Sequence, residues 1–229
     1  INLFIYMLLI VMLTASMAGC RIVPDEIKVT KPPEGYIDSS EALKDIPNVY
    51  TQVTKNPIAV FILEDDRRIE VELFPDKAPN TVSNFIYLAN EKKFFDNTTF
   101  HKVFPDYLVQ GGSPDGTDDG TAGYYIEGEF PENDFEQNDL KHIKGVISMI
   151  RDNYDNNSAS SQFFFCLSDN AENLDGKYAV FGATTVGLDV VTSISNAVRD
   201  NNNLATEPVK IKMVRVDTRG IDYLKPDTI

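Results

Sequence analysis

The chain has 229 residues, 42% of them apolar, with a net charge of −14 and an isoelectric point of about 4.5. That length suits one sizeable domain with extensions. The acidity excludes a nucleic-acid partner, because phosphate recognition needs a basic stripe. Two cysteines, Cys20 and Cys166, supply neither a disulfide framework nor a cysteine-based metal site.

The first segment, INLFIYMLLIVMLTASMAGC, carries no charge from Ile1 to Gly19 and ends in the small residues Ala15, Ser16, Ala18 and Gly19. A short apolar run with small residues at its end reads as an export signal over 1–19 rather than a spanning helix. TASMAGC is similar to a bacterial lipobox, in which small residues admit a peptidase and the Cys20 thiol takes a diacylglyceryl group. Thr14, Ala15 or Ser16 stands near the position where leucine is usual, whereas Ala18 and Gly19 fit the pattern. A plain transmembrane anchor is the alternative. Ile1 at the start and the lack of a positive leading region lead us to expect further residues upstream. Both readings place the remainder outside the cytoplasm of a bacterial cell, held at its membrane. Once Cys20 is lipidated, Cys166 has no intrachain partner and is expected to be an inert buried thiol. Residues 20–56 are polar and dotted with proline, which reads as a tether with an r.m.s. reach of roughly 30–35 Å. A short helix is expected within it around Ser40–Lys44.

The folded domain is expected over 57–219. IAVFIL and RRIEVELF flank EDD as a hairpin, with Ile69, Val71 and Leu73 alternating with Glu70 and Glu72. APNTVSNFIYLANEKKFF predicts an amphipathic helix with Val82, Phe85, Leu88 and Ala89 on one face. The runs TFHKVF, YLVQGG, GVISMIR, SQFFFCL and YAVFGATT read as short strands. GLDVVTSISNAV predicts a second helix with Leu188, Val191 and Ile194 inward, and VKIKMVRVDT a closing strand from Val209. Many short strands with two helices suggest a mainly β fold, a closed barrel capped by a helix at each end. Residues 220–229 read as a surface tail.

Few loops suggest a site by themselves. Asp115, Thr117, Asp119 and Gly120 have some of the spacing of a calcium loop, but Ile126 stands at the twelfth position, where a bidentate glutamate is needed. RDNYDNNSASSQ shows turn chemistry and no ligand register. No phosphate-binding loop, HExxH or Ser-His-Asp order occurs, so neither a metal nor a cofactor is expected. His101 reads as a structural residue. One stretch resists this reading. FHKVFPDYLVQGG, from Phe100 to Gly112, sets Lys102 and Gln110 among apolar residues, where an unpartnered charge or amide is costly.

FHKVFPDYLVQGG, HIKGVISM, SASSQFFFCLSDNAENLDGKYAVFG and ELFPDKAPNTVSNF together resemble the cyclophilins, a family of peptidyl-prolyl cis-trans isomerases. The resemblance runs from about Pro57 to Val216 in unbroken order. It implies an eight-stranded antiparallel barrel capped by two helices. It also implies proline-containing segments of unfolded or exported proteins as partners, no cofactor, and a monomer. Carried over by position, it implies a proline pocket of Tyr107, Leu108, Phe164 and Leu174. Gln110 would bond the substrate backbone, supported by Gln162, while Ile150 and Arg151 would contact the peptide. Tyr178 falls where the family has histidine or tyrosine. Asn173 replaces a tryptophan found in some members, which puts cyclosporin sensitivity in doubt.

The departure that matters is Lys102, at the place of the family's catalytic arginine. Arginine offers a rigid planar fork, lysine a single flexible, strongly hydrated ammonium. A weakened charge-assisted hydrogen bond costs roughly 1–3 kcal/mol, or about ten- to a hundredfold in rate, so a slowed isomerase is expected. Two other readings stay open at this point: a cyclophilin-like peptide-binding or holdase module without catalysis, and a lipid-anchored solute-binding protein.

Overall fold

The computed structural model describes residues 56–229. The export segment, Cys20 and the expected helix around Ser40–Lys44 lie outside those residues. No helix among the described residues is long and apolar enough to cross a membrane.

Strand β1 (Ile58–Leu63) turns through 64–67 into β2 (Arg68–Leu73), as the alternation suggested. There follow β3 (Thr99–Phe104), β4 (Leu108–Gly111), β5 (Val146–Met149), β6 (Phe163–Cys166), β7 (Val180–Val186) and β8 (Leu204–Asp217). They close into one barrel in the order β1-β2-β7-β5-β6-β4-β3-β8, with every neighbouring pair antiparallel. Closure leaves no free sheet edge.

The barrel interior is largely phenylalanine. Phe61 meets Phe163 and Phe165 edge-on, each at 5.6 Å between ring centres, and Phe85 stacks on Phe95 at 5.0 Å. Helix α1 (Pro79–Ile86) buries Val82 and Phe85 in this cluster, and α2 (Leu188–Ser195) buries Val191 and Ile194. Proline suits the first turn of α1, where an amide would lack a partner. The residue before it, Ala78, offers no capping side chain. Buried Glu129 takes that part instead, accepting bonds from the amides of Asn80 (2.9 Å) and Thr81 (2.8 Å).

Two expectations need correction. The first helix does not run on to Phe95: it widens into a π turn at Tyr87–Glu91, which buries Leu88 and Ala89, and Lys93 then takes a left-handed φ of 51°. Strand β8 begins at Leu204, which pairs with Lys102, well before Val209; its first residues are half or fully exposed and show no alternation, so no apolar period marks them in the sequence. Residues 220–229 are mostly exposed but not loose. Ile229 and Tyr125 exchange backbone bonds of 2.9 and 3.3 Å, Asp227 exchanges bonds with the Asn80 amide group, and half-buried Tyr223 packs on the barrel core.

Candidate active site

Successive strand residues face opposite sides of a sheet, and that rule divides core from site. Val109, Phe163 and Phe165 face the interior, so Leu108, Gln110 and Phe164 lie on the outer face. In β3 the same rule would place Lys102 on the buried side with Phe100. A register break between Phe100 and Lys102 against β8 prevents this: Phe100 pairs with Val209, but Lys102 pairs with Leu204. The irregularity shifts the alternation by one. Phe100 and Val103 are therefore both fully buried, and Lys102 stands opposite Gln110 on the outer face. Just beyond β4, Gly112 has a φ of 85°, and a Cβ there would lie 2.3 Å from the Ser161 carbonyl oxygen. Only glycine fits this turn.

Lys102, Leu108, Gln110, Ile150, Arg151, Gln162 and Tyr178 line one cleft of about 590 Å³. Tyr107, Phe164 and Leu174 do not line it. They belong to the apolar cluster beside it, which also contains Leu108, Ile150 and Tyr178. Every residue assigned to the site from the sequence thus falls in the cleft or in the cluster that adjoins it.

The polar residues form a chain of bonds. Gln110 Nε2 donates to Gln162 Oε1 at 2.8 Å. Gln162 Nε2 donates in turn to the carbonyls of Asp118 and Gly120, both at 2.8 Å. The loop so held returns the Asp118 carboxylate to Lys102, with Oδ2 2.6 Å from Nζ. Arg151 is held against its own chain: Nε donates to the Lys177 carbonyl at 2.9 Å and Nη1 to the Asp152 carbonyl at 2.7 Å. Its guanidinium lies 4.8 Å from the centre of the Tyr178 ring.

Sequence reasoning missed Asp118 and His142. Asp118 sits in a loop weighed only as a calcium site. In that loop Asp115 accepts bonds from Ser113 and from the amide and hydroxyl of Thr117, which is turn chemistry. The carry-over of Lys102 was the available signal, since a lysine at a cleft calls for a carboxylate nearby. His142 is buried beneath the apolar cluster and stacks on Phe164 at 5.7 Å with the ring planes 10° apart. Its Nδ1 and Nε2 lie 3.1 Å from Asp175 Oδ1 and Ser148 Oγ respectively. Burial pushes its pKa below the usual imidazole value, outweighing the Asp175 carboxylate. His101 is buried, neither of its ring nitrogens has a hydrogen-bond partner among the described residues, and burial lowers its pKa too. Neither histidine lines the cleft. Burial raises the Cys166 thiol to a pKa of about 11, consistent with an inert residue.

The cyclophilin-type peptidyl-prolyl cis-trans isomerase family model matches residues 59–216. The chain is 43% identical over 136 residues to peptidyl-prolyl cis-trans isomerase B of Bacillus subtilis, covering 59% of this chain and 89% of that protein. It is also 43% identical over 150 residues to the Saccharomyces cerevisiae isomerase B, covering 63% and 70%. Among solved structures, it resembles a Cryptosporidium parvum cyclophilin-type isomerase determined in the presence of the dipeptide Ala-Pro. The TM-score is 0.61 at 28% identity, covering 70% of this chain and 98% of that one. Barrel, motif order and sequence agree: the chain belongs to the cyclophilin-type peptidyl-prolyl cis-trans isomerase family.

Proposed function

We propose that this cyclophilin accelerates X-Pro bond rotation in exported proteins, working outside the cytoplasm from a lipid anchor on Cys20, with Lys102 as its catalytic cation. The observation that carries the catalytic reading is the meeting of Lys102, Arg151, two glutamines and an apolar cluster on a single outer face of the barrel. A relative solved in the presence of Ala-Pro supports proline-containing segments as the ligand. The anchor rests on the sequence TASMAGC alone.

Amide resonance sets a barrier of about 18–20 kcal/mol, and unaided X-Pro rotation takes roughly tens to hundreds of seconds. No bond need be made or broken. The protein has only to bind the twisted amide better than either planar form. Phe164, Tyr107, Leu108 and Leu174 hold the proline ring, and Gln110 bonds the flanking backbone. As the bond twists, the prolyl nitrogen regains its lone pair, and the Lys102 ammonium donates to it. That bond is available only in the transition state, in the manner of an oxyanion hole.

NMR exchange on a proline peptide, with wild type, Lys102→Ala and Lys102→Arg, tests this. Lys102→Ala should lose most of the rate, and Lys102→Arg should gain up to about ten- to a hundredfold. Three proteins all at the uncatalysed rate would sink the enzyme reading, and peptide binding without rate would leave a binding module. For the anchor, mass spectrometry of the membrane fraction should find an acylated fragment beginning at Cys20. A mature chain retaining Ile1–Gly19 overturns it.

A further inference from the structure

We propose that Asp118 is a positioning residue for catalysis: it orients the Lys102 ammonium and so supplies the fixed donor direction that lysine lacks. This rests on the reading of Lys102 as the catalytic cation.

The first support is the ion pair itself, 2.6 Å from Nζ to Oδ2. An ammonium on a four-carbon stem has three rotatable donors and no built-in direction, whereas a guanidinium is planar and fixed. A carboxylate that takes one N–H stops rotation about Cε–Nζ and so fixes the directions of the other two N–H bonds. The pair sits at the wall of the cleft, with the Lys102 side chain 20% exposed and that of Asp118 54% exposed. The substrate side of the ammonium is therefore not closed off.

The second support is the way Asp118 is held. Its carbonyl is bonded by Gln162 Nε2, and Gln162 is bonded by Gln110, the residue opposite Lys102 across β3 and β4. The loop bearing the carboxylate is thus anchored to the strand that faces the lysine. Gln162, expected only to support the site from the next strand, acts here as the link. Beyond the ion pair, the Asp118 carboxylate makes no other hydrogen bond or ion pair among the described residues, though its charge also acts on the nearby His101 ring.

A carboxylate beside the ammonium also offsets part of its charge, and loss of charge opposes the gain in direction. The Asp118 carboxylate is more than half exposed at the cleft wall, where water and salt weaken the charge it takes from the ammonium. There, direction is the scarcer quantity. Removing Asp118 should therefore slow the enzyme.

The test is a double-mutant cycle on the full chain, with peptide varied from below KM to saturation so that kcat is separated from KM. Asp118→Ala should lower kcat about three- to fivefold, the upper range for a partly exposed ion pair, with KM changed little. Asp118→Glu should restore most of it. In a Lys102→Arg background, Asp118→Ala should cost less than about twofold, because the guanidinium carries its own geometry. Equal losses in both backgrounds would show that Asp118 only shapes the loop. An unchanged or faster Asp118→Ala enzyme would show that the carboxylate is idle or competes with substrate, and either overturns the role of Asp118 while leaving the isomerase intact. Wild type at the uncatalysed rate is a different result: it removes the isomerase reading, and this one with it.

Discussion

The two faces of strand β6 obey different rules. Phe163 and Phe165 enter the barrel, where Phe163 meets rings from β1, β3 and α1, and Phe165 meets rings from β1 and β3. Phe164, between them, faces out and joins Tyr107, Leu108, Leu174 and Tyr178. The inner face is held by packing, in which many neighbours share the work. The outer face is held by a few directional bonds from distant loops, Asp118 and Asp175 among them. Losses inside should therefore appear as instability, and losses outside as altered rate.

The largest contrast should come from two single substitutions. Phe163→Ala empties the centre of the barrel and should cost about 3–5 kcal/mol in urea unfolding. Whatever remains folded should keep its KM. Phe164→Ala should cost less stability, since its cluster is small and bordered by half-exposed residues, but should raise KM about tenfold or more, equivalent to about 1.4 kcal/mol of lost peptide binding. If the two variants lose stability and peptide affinity in the same proportion, inner and outer faces are not separate in function.

A smaller effect should follow from Gln162→Ala. It leaves Gln110 without its acceptor and the carbonyls of Asp118 and Gly120 without their donor. Stability should fall by roughly 1–3 kcal/mol, because Gln110 and Gly120 are buried, whereas the Asp118 carbonyl can take up water. Amide hydrogen exchange in residues 117–121 should quicken, with kcat falling in parallel. Unchanged exchange there would mean that the loop is held by something other than Gln162.

Most of the inner face was legible in the sequence. Alternation and helical spacing follow directly from strand and helix geometry, so the short strands and both helices could be read from patterns such as Ile69, Val71 and Leu73, Val82 and Phe85, and Val191 and Ile194, while the count of eight strands came from the family resemblance. The start of β8 and the tying down of 220–229 were not legible, because they depend on partners such as Lys102, Asn80 and Tyr125 far away in the chain. The site divides in the same way. Lys102, Gln110 and Phe164 lie in motifs whose order the family resemblance supplied. Asp118 and His142 act through contacts that no period encodes. Even the outward direction of Lys102 depends on a register break with β8, and a regular strand would have sent it inward.

The smallest effect concerns pH and tests whether the support beneath Phe164 is electrostatic as well as apolar. Burial lowers the His142 pKa, while Asp175 works in the opposite direction and neighbouring Lys141 with the burial; Ser148, Phe164 and Tyr178 complete its surroundings. The unfolded chain takes up a proton near pH 6.5, but the folded imidazole does so only at lower pH. More protons are then bound by the unfolded state, so stability is full above that pH and is lost as pH falls toward the folded value. His101 has the same sign. Glu129, which burial raises, has the opposite one, since the folded state there binds its proton first. Asp96, lowered by Arg215, keeps its full contribution across this interval and loses it only at pH values below those of ordinary carboxylates. The decline from pH 7 to pH 5.5 should therefore belong to the histidines. Thermal melts of wild type should fall across that interval, by about 2–4 °C for each kcal/mol lost, and His142→Asn should flatten part of the fall. A slope unchanged by His142→Asn and by His101→Asn would mean that neither imidazole is held neutral, and that the floor of the site owes its order to packing alone.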